Sequence, residues 1–103
     1  MSLNRYDART DANQGDIIRA LETEGCIVWI IRWPVDLLVG VPGAGWIAIE
    51  VKDGSKPPSA RKLTEDQLAF IGSAPPGCPT AVVIDVESAL RAVRAMNRRN
   101  QCE

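Results

Sequence analysis

The sequence predicts one small α/β domain, and three observations carry that prediction. Its 103 residues suit a single domain, with 46% hydrophobic and 24% charged side chains, an ordinary globular balance. Apolar stripes at helical spacing alternate with short β-branched runs. Gly- and Pro-rich turns separate those runs. Read in order, the elements are α-β-β-β-α-β-α, a central mixed sheet flanked by helices.

Residues 1–10 are polar and read as a loose N-terminal segment, followed by the domain over 11–97 and a basic C-terminal tail over 98–103. Asp11 to Glu24 reads as a helix: Asp11 or Thr10 can cap it, Ile17, Ile18 and Leu21 form its apolar stripe, and Gly25 sits at its C-cap. Cys26 to Trp33 is a β-branched strand run that Pro34 interrupts, and Val35 to Val41 resumes as a second strand. The Pro42-Gly43-Ala44-Gly45 turn leads into a third strand, Trp46 to Lys52. A polar, Lys-containing loop over 53–62 precedes a short helix, Thr64 to Ile71, which opens with a capping-box pattern. Thr80 to Ile84 is a short buried strand, and Asp85 caps a final helix through Met96.

The most useful exclusion is a zero: the chain has no histidine. That removes Ser-His-Asp and Cys-His hydrolases and zinc sites with imidazole ligands. Cys26, Cys78 and Cys102 are widely spaced, which fits neither a zinc knuckle nor a disulfide framework. Gly40, Gly43 and Gly45 join two strands and open no helix, so they read as a turn, and no organic cofactor is expected. No apolar run approaches the ~20 residues needed to span a bilayer, and no signal peptide opens the chain. A soluble, cytoplasmic protein is expected, with catalysis resting on carboxylates, lysine, amides and a hard metal ion.

Net charge is −1, but the first half is acidic and the second half basic. Lys52, Lys56, Arg61 and Lys62 form one basic cluster, and Arg91, Arg94, Arg98 and Arg99 another. Such clusters either bind an anionic polymer or form solvated faces.

Strand register supplies the chemical lead. If the hairpin centres on Gly43, Asp36 lies opposite Glu50, Leu38 opposite Ala48 and Gly40 opposite Trp46. Side chains alternate faces along a strand, so Leu37, Val39, Val41, Ile47, Ile49 and Val51 share one wholly apolar face. Asp36, Glu50 and Lys52 share the other. Opposed Cβ atoms stand only ~4.5–5.5 Å apart, where like charges destabilise the pair. Two readings explain the paired acids. A hard cation such as Mg²⁺ bridges them, since it takes oxygen ligands, or Lys52 neutralises them as a salt-bridge cluster.

Asp36, followed after the hairpin by Glu50-Val51-Lys52, resembles the signature of the PD-(D/E)XK nucleases. The closer resemblance is to their virus-type replication–repair (VRR-NUC) branch, in particular its small phage and prophage proteins. Matching stretches run in order through Asp11-Ala12-Asn13-Gln14, Asp36 to Gly40, Ile49 to Gly54, Lys56 to Ser59 and Leu63 to Gln67. The resemblance implies a restriction-endonuclease-like core and a Mg²⁺- or Mn²⁺-dependent phosphodiesterase. It implies that Asp36, Glu50 and the Val51 carbonyl ligate the metal, that Lys52 assists the attacking water, and that Gln67 completes the site. The chain departs from the family where Pro34 stands two positions before Asp36 instead of directly before it, and where the segment from Gly25 to Asp36 is short.

The remaining candidates carry two readings each. Gln67 is either the capping-box partner of Thr64 or a site residue. Gln14, with Asp11, either reaches the site as an accessory group or serves the first helix. Lys56, Arg61 and Lys62 either contact phosphates beside the scissile bond or are solvated. Trp46 shares the acidic face and can stack on an unpaired base or pack a core. The expected function is a structure-selective DNA endonuclease acting on branched or flapped DNA, with Holliday-junction resolution by a homodimer as one form of it. A non-catalytic nucleic-acid-binding module on the same scaffold is the alternative.

Overall fold

A computed structural model describes residues 12–101, and its elements follow the predicted order. They are α1 (Gln14–Thr23), β1 (Ile27–Ile30), β2 (Leu37–Val41), β3 (Gly45–Val51), α2 (Glu65–Ser73), β4 (Thr80–Val83) and α3 (Val86–Gln101). The segment 1–10, Asp11 and Cys102 lie outside the described residues.

Helix α1 begins at Gln14 rather than at Asp11, with Asn13 as its N-cap residue. The Asn13 side chain makes no cap hydrogen bond. Its amide instead donates to the backbone carbonyls of Lys52 at 3.2 Å and Ile84 at 2.8 Å, tying the helix start to the ends of β3 and β4. Gly25 closes the other end as expected: its φ of 97° suits glycine, and the Gly25 and Cys26 N–H groups return to the carbonyls of Glu22 and Leu21.

Strand β1 stops at Ile30, short of the expected Trp33. The chain leaves the ladder there because the Ile31 and Arg32 N–H groups both donate to the Asp36 carbonyl, closing the connection into β2. Strands β2 and β3 pair antiparallel, with Leu37 opposite Ile49, Leu38 opposite Ala48 and Gly40 opposite Trp46, the register predicted from Gly43. The turn itself uses left-handed backbone at Gly43 and Gly45, with φ of 77° and 113°.

Helix α2 then carries the chain to β4, which pairs parallel with β3 through Ala48–Thr80 and Val51–Val83. The sheet is therefore mixed, in the order β1-β2-β3-β4. Asp85 caps α3 as predicted, accepting the Ser88 N–H at 2.8 Å. That helix runs on to Gln101, past the expected end at Met96. The loop over 53–62 also has more structure than expected, with a 3-10 turn at Pro58–Arg61.

One face of the sheet is the core. Leu37, Val39, Ile47, Ile49, Val51 and Val83 bury there against Ile17 and Leu21 of α1 and Ala89, Val93 and Met96 of α3. Burial of each such aliphatic side chain contributes roughly 1.5–3 kcal/mol. The apolar stripe of each helix and the odd-numbered residues of β2 and β3 account for nearly all of it.

The opposite face is only partly covered, by α2 and the loops beside it. Register sets Trp29, Leu38, Ala48 and Thr80 in one row across that face, and Ile27, Gly40 and Trp46 in the next. Ile27, Trp29, Trp46 and Val82 are all exposed. Among the described residues no helix is long and apolar enough to cross a membrane.

Candidate active site

Glu50 is the centre of the partly covered face. Strand alternation turns its side chain away from the apolar core and towards α2, yet the residue is only 3% exposed. A carboxylate so placed loses hydration that must be replaced by charge or hydrogen bonds. Two side chains supply part of that. The Lys52 Nζ stands 3.3 Å from Glu50 Oε2, and the Gln67 Nε2 donates to the same oxygen at 2.8 Å. Asp36 lies beside it with a second negative charge.

The other oxygen, Glu50 Oε1, is buried with no hydrogen-bond partner. Burial raises the Glu50 pKa most, the neighbouring Asp36 raises it further, and Lys52 only partly reverses this; the carboxyl is pushed up to about 7. The site is thus short of positive charge.

Asp36 sits just before the β2 ladder, where β1 hands over to β2, and its Oδ2 accepts the Val51 N–H at 2.9 Å. This bond crosses from the end of β2 to the end of β3 and fixes the Asp36 carboxylate beside Glu50. Val51 itself turns its side chain into the core, so only its backbone can serve the site. Lys52 follows directly, its main chain held to β4 by an N–H bond to the Val83 carbonyl at 2.9 Å.

Gln67 serves both of the roles its sequence position allows. Its Oε1 accepts the Thr64 N–H at 2.9 Å while its own N–H donates to Thr64 Oγ1 at 3.2 Å, a complete capping box. The amide's NH₂ end is left to reach Glu50. One planar group therefore locks the first turn of α2 and anchors that helix over the carboxylate.

The loop over 53–62 leaves the site at Lys52 and returns to it at Thr64, so both of its ends are fixed near Glu50. Asp53 organises its start by accepting from Ser55 N and Oγ, and the Gly54 N–H bonds the Ile84 carbonyl. Lys56 and Lys62 are exposed along it, while Arg61 is half-buried, with its Nε sheltered and lacking a hydrogen-bond partner. Trp46 lies on the Glu50 face, 51% exposed. Gln14 is buried at the start of α1, next to Asn13, which touches the Lys52 carbonyl.

The second basic cluster is separate from this site. Arg94 binds Glu24 through Nε at 2.6 Å and Arg91 pairs with Glu87, on helices that pack the other face of the sheet.

Asn13 is the residue sequence reasoning missed. It stood inside one of the quoted stretches, but its role depends on two carbonyls distant in the chain, and no local pattern announces that.

The donor set fits a hard divalent cation. Asp36 and Glu50 offer carboxylate oxygens, the orphaned Glu50 Oε1 lacks the positive partner that such an ion provides, and none of the neighbouring ligands is soft. No group of three or more His, Cys, Asp and Glu side chains converges among the described residues. A bound ion would therefore complete its shell with backbone oxygen and water. Comparison with known proteins found no matching family model, curated protein or solved structure.

Proposed function

We propose that this chain is a metal-dependent endodeoxyribonuclease built on a restriction-endonuclease-like core, with Asp36, Glu50, Lys52 and Gln67 as its catalytic group. The observation that carries the proposal is a buried Glu50 carboxylate with a second carboxylate and a lysine as neighbours, its Oε2 held by Lys52 and Gln67 and its Oε1 without a hydrogen-bond partner. A carboxylate oxygen buried among charged side chains without a hydrogen-bond partner calls for an explanation beyond packing.

Asp36, Glu50 and the Val51 carbonyl would hold Mg²⁺ or Mn²⁺. The chemistry such an ion supplies when bound is a more acidic water and a polarised phosphate. The chain's own groups do the rest. Lys52 places an ammonium at the carboxylate, where it can orient a water and offset charge building on a phosphate oxygen. Gln67 holds Glu50 Oε2 and so fixes which oxygen faces the reaction. Lys56 and Lys62, with Arg61, sit where they would contact the backbone of a strand laid across the site, an affinity that carries no sequence information.

A structure-selective activity on branched or flapped DNA fits a domain whose radius of gyration is 13.3 Å, since it spans little of a junction alone. A symmetric homodimer would present two sites to two strands, as Holliday-junction resolution requires.

The Lys52–Glu50 ion pair also favours a second reading, a non-catalytic nucleic-acid-binding module in which the lysine simply neutralises the acid. One assay separates them. Four-way-junction, flap, single-stranded and duplex DNA are incubated with Mg²⁺ or Mn²⁺ and wild type, Glu50→Ala or Lys52→Ala, with the fold of each variant verified. Metal-dependent cleavage lost in both variants supports the nuclease. Binding without cleavage in either metal overturns it in favour of the module. Sedimentation at micromolar protein tests the dimer, and a strict monomer refutes it.

A further inference from the structure

Beside Glu50 the partly covered sheet face holds a cavity of about 480 Å³ that the catalytic group does not use. Its floor is Leu38 and Ala48, and Trp46 and Phe70 stand at its sides. Pro79 and Thr80 lie at its β4 edge. No described residue lining it carries a charge.

Its position is set by the elements that build the catalytic group. Ala48 precedes Glu50 by two residues on the same face of β3, a separation of about 6.6 Å. Phe70 follows Gln67 by three on α2, which makes them neighbours on one side of that helix. The cavity therefore lies on the Glu50 face of the sheet, beginning one side-chain position along β3 from Glu50.

The Trp46 wall is held in place. A Cβ at Gly40 would stand 3.1 Å from Trp46 Cζ3 and 3.2 Å from Cη2, so the indole rests on the bare backbone of the neighbouring strand. About half of the residue remains exposed. A large aromatic surface left open beside a buried carboxylate is poorly explained by folding, because burying it would be favourable.

We propose that this cavity binds an unpaired nucleobase of the strand cut at Glu50, with Trp46 and Phe70 as its stacking walls. The assignment rests on the nuclease reading and narrows its substrate class to strands with unstacked bases next to the scissile phosphate. Continuity with the Glu50 site supplies the occupant: a polynucleotide whose phosphate lies at Glu50 must put an adjacent nucleotide somewhere on this face. The basic loop at the same site attracts the backbone, and the uncharged walls receive the base. Every base has a π-face and these walls offer few polar groups, so the cavity senses an unpaired state rather than base identity.

The test is a binding measurement in EDTA, which needs no cleavage. Fluorescence anisotropy follows wild type and Trp46→Ala with a labelled short single strand, the matching blunt duplex, and single strands carrying one abasic residue stepped along the sequence. The single strand binds more tightly than the duplex, and an abasic residue at one defined position weakens binding roughly tenfold. Trp46→Ala weakens the intact strand by a similar factor and removes the abasic penalty, whereas Trp46→Phe retains most of both. An abasic series without effect on wild type overturns the assignment, whatever the variants do. So does an abasic penalty that persists in folded Trp46→Ala, or self-association that buries Trp46 and excludes the strand. Metal-dependent cleavage with no abasic effect refutes the cavity and leaves the nuclease standing. Abasic-sensitive binding with no cleavage in Mg²⁺ or Mn²⁺ refutes the nuclease and leaves the cavity standing.

Discussion

Replacing Glu50 with glutamine should make the protein more stable, and the gain should depend on pH. The carboxyl titrates near its ordinary value of 4.5 in the unfolded chain and is pushed up to about 7 in the folded one. Below pH 4.5 both states are protonated and burial of the neutral acid carries no charge penalty. Between 4.5 and 7 the folded state binds more protons, so stability falls as pH rises, by about 1.4 kcal/mol per pH unit. Above 7 the full penalty, about 3 kcal/mol, is in place. An amide of the same shape removes it. Urea unfolding followed by far-UV circular dichroism should therefore show Glu50→Gln more stable than wild type by up to about 3 kcal/mol at pH 8, a Tm gain on the order of 10 °C. At pH 4 the two should coincide. Millimolar Mg²⁺ should narrow the gap at pH 8 by stabilising wild type alone, since a ligand that binds only the folded state adds to its stability. A variant less stable than wild type at pH 8, or a difference independent of pH, would refute the reasoning, because either result means the buried charge is already compensated by Lys52 and Gln67.

Lys52→Met keeps the aliphatic stem and removes the ammonium, so it should lower stability by about 1–3 kcal/mol at pH 8 and far less at pH 4, where Glu50 is neutral. The same unfolding series reads it. Thr64→Ala and Gln67→Ala should each weaken the start of α2 by about 1 kcal/mol. Only Gln67→Ala also frees Glu50 Oε2, so cleavage should fall much further in Gln67→Ala than in Thr64→Ala at equal stability. Asn13→Ala leaves the Lys52 and Ile84 carbonyls without the amide that ties them and should cost about 1–3 kcal/mol. Amide hydrogen exchange should then rise first at the start of α1 and at the ends of β3 and β4.

What could be read from the chain beforehand divides along physical lines. The β2–β3 register was legible because a turn centred on Gly43 and a two-residue alternation over-determine each other: a slip by one would expose Leu37, Val39 and Ile49 together. The same arithmetic put Asp36, Glu50 and Lys52 on one side. Gln67 was legible as an ambiguity only, since the capping pattern is local while the bond to Glu50 crosses between elements. Asn13 was not legible as a clasp at all. A cap residue early in a helix looks the same in sequence whether its side chain bonds its own helix or two carbonyls brought from elsewhere. The early end of β1 was hidden for a related reason, because Ile31 and Trp33 keep the apolar alternation after their backbone has left the ladder.

The asymmetry of the sheet connects these observations. Helices α1 and α3 both pack on the face of Leu37 and Ile49, which concentrates nearly all of the core on one side. The other face is left with α2 and the loops beside it, and that helix is anchored there by hydrogen bonds from Gln67 Nε2 to Glu50 and from Trp33 Nε1 to Asp66, together with the packing around Phe70. A face covered this thinly can hold a carboxylate out of bulk water without filling the space beside it. The stable side of the molecule therefore sets the backbone positions of Asp36, Glu50 and Lys52 through β2 and β3. The thinly covered side supplies low dielectric at Glu50 and open volume farther along the same face. If the two sides are separable in this way, Phe70→Ala should loosen α2 and lower the Glu50 pKa by admitting water, with little loss of global stability. Titration of the Glu50 carboxyl by NMR reads that shift, and a pKa that stays near 7 in the folded variant would mean the burial of Glu50 does not depend on α2.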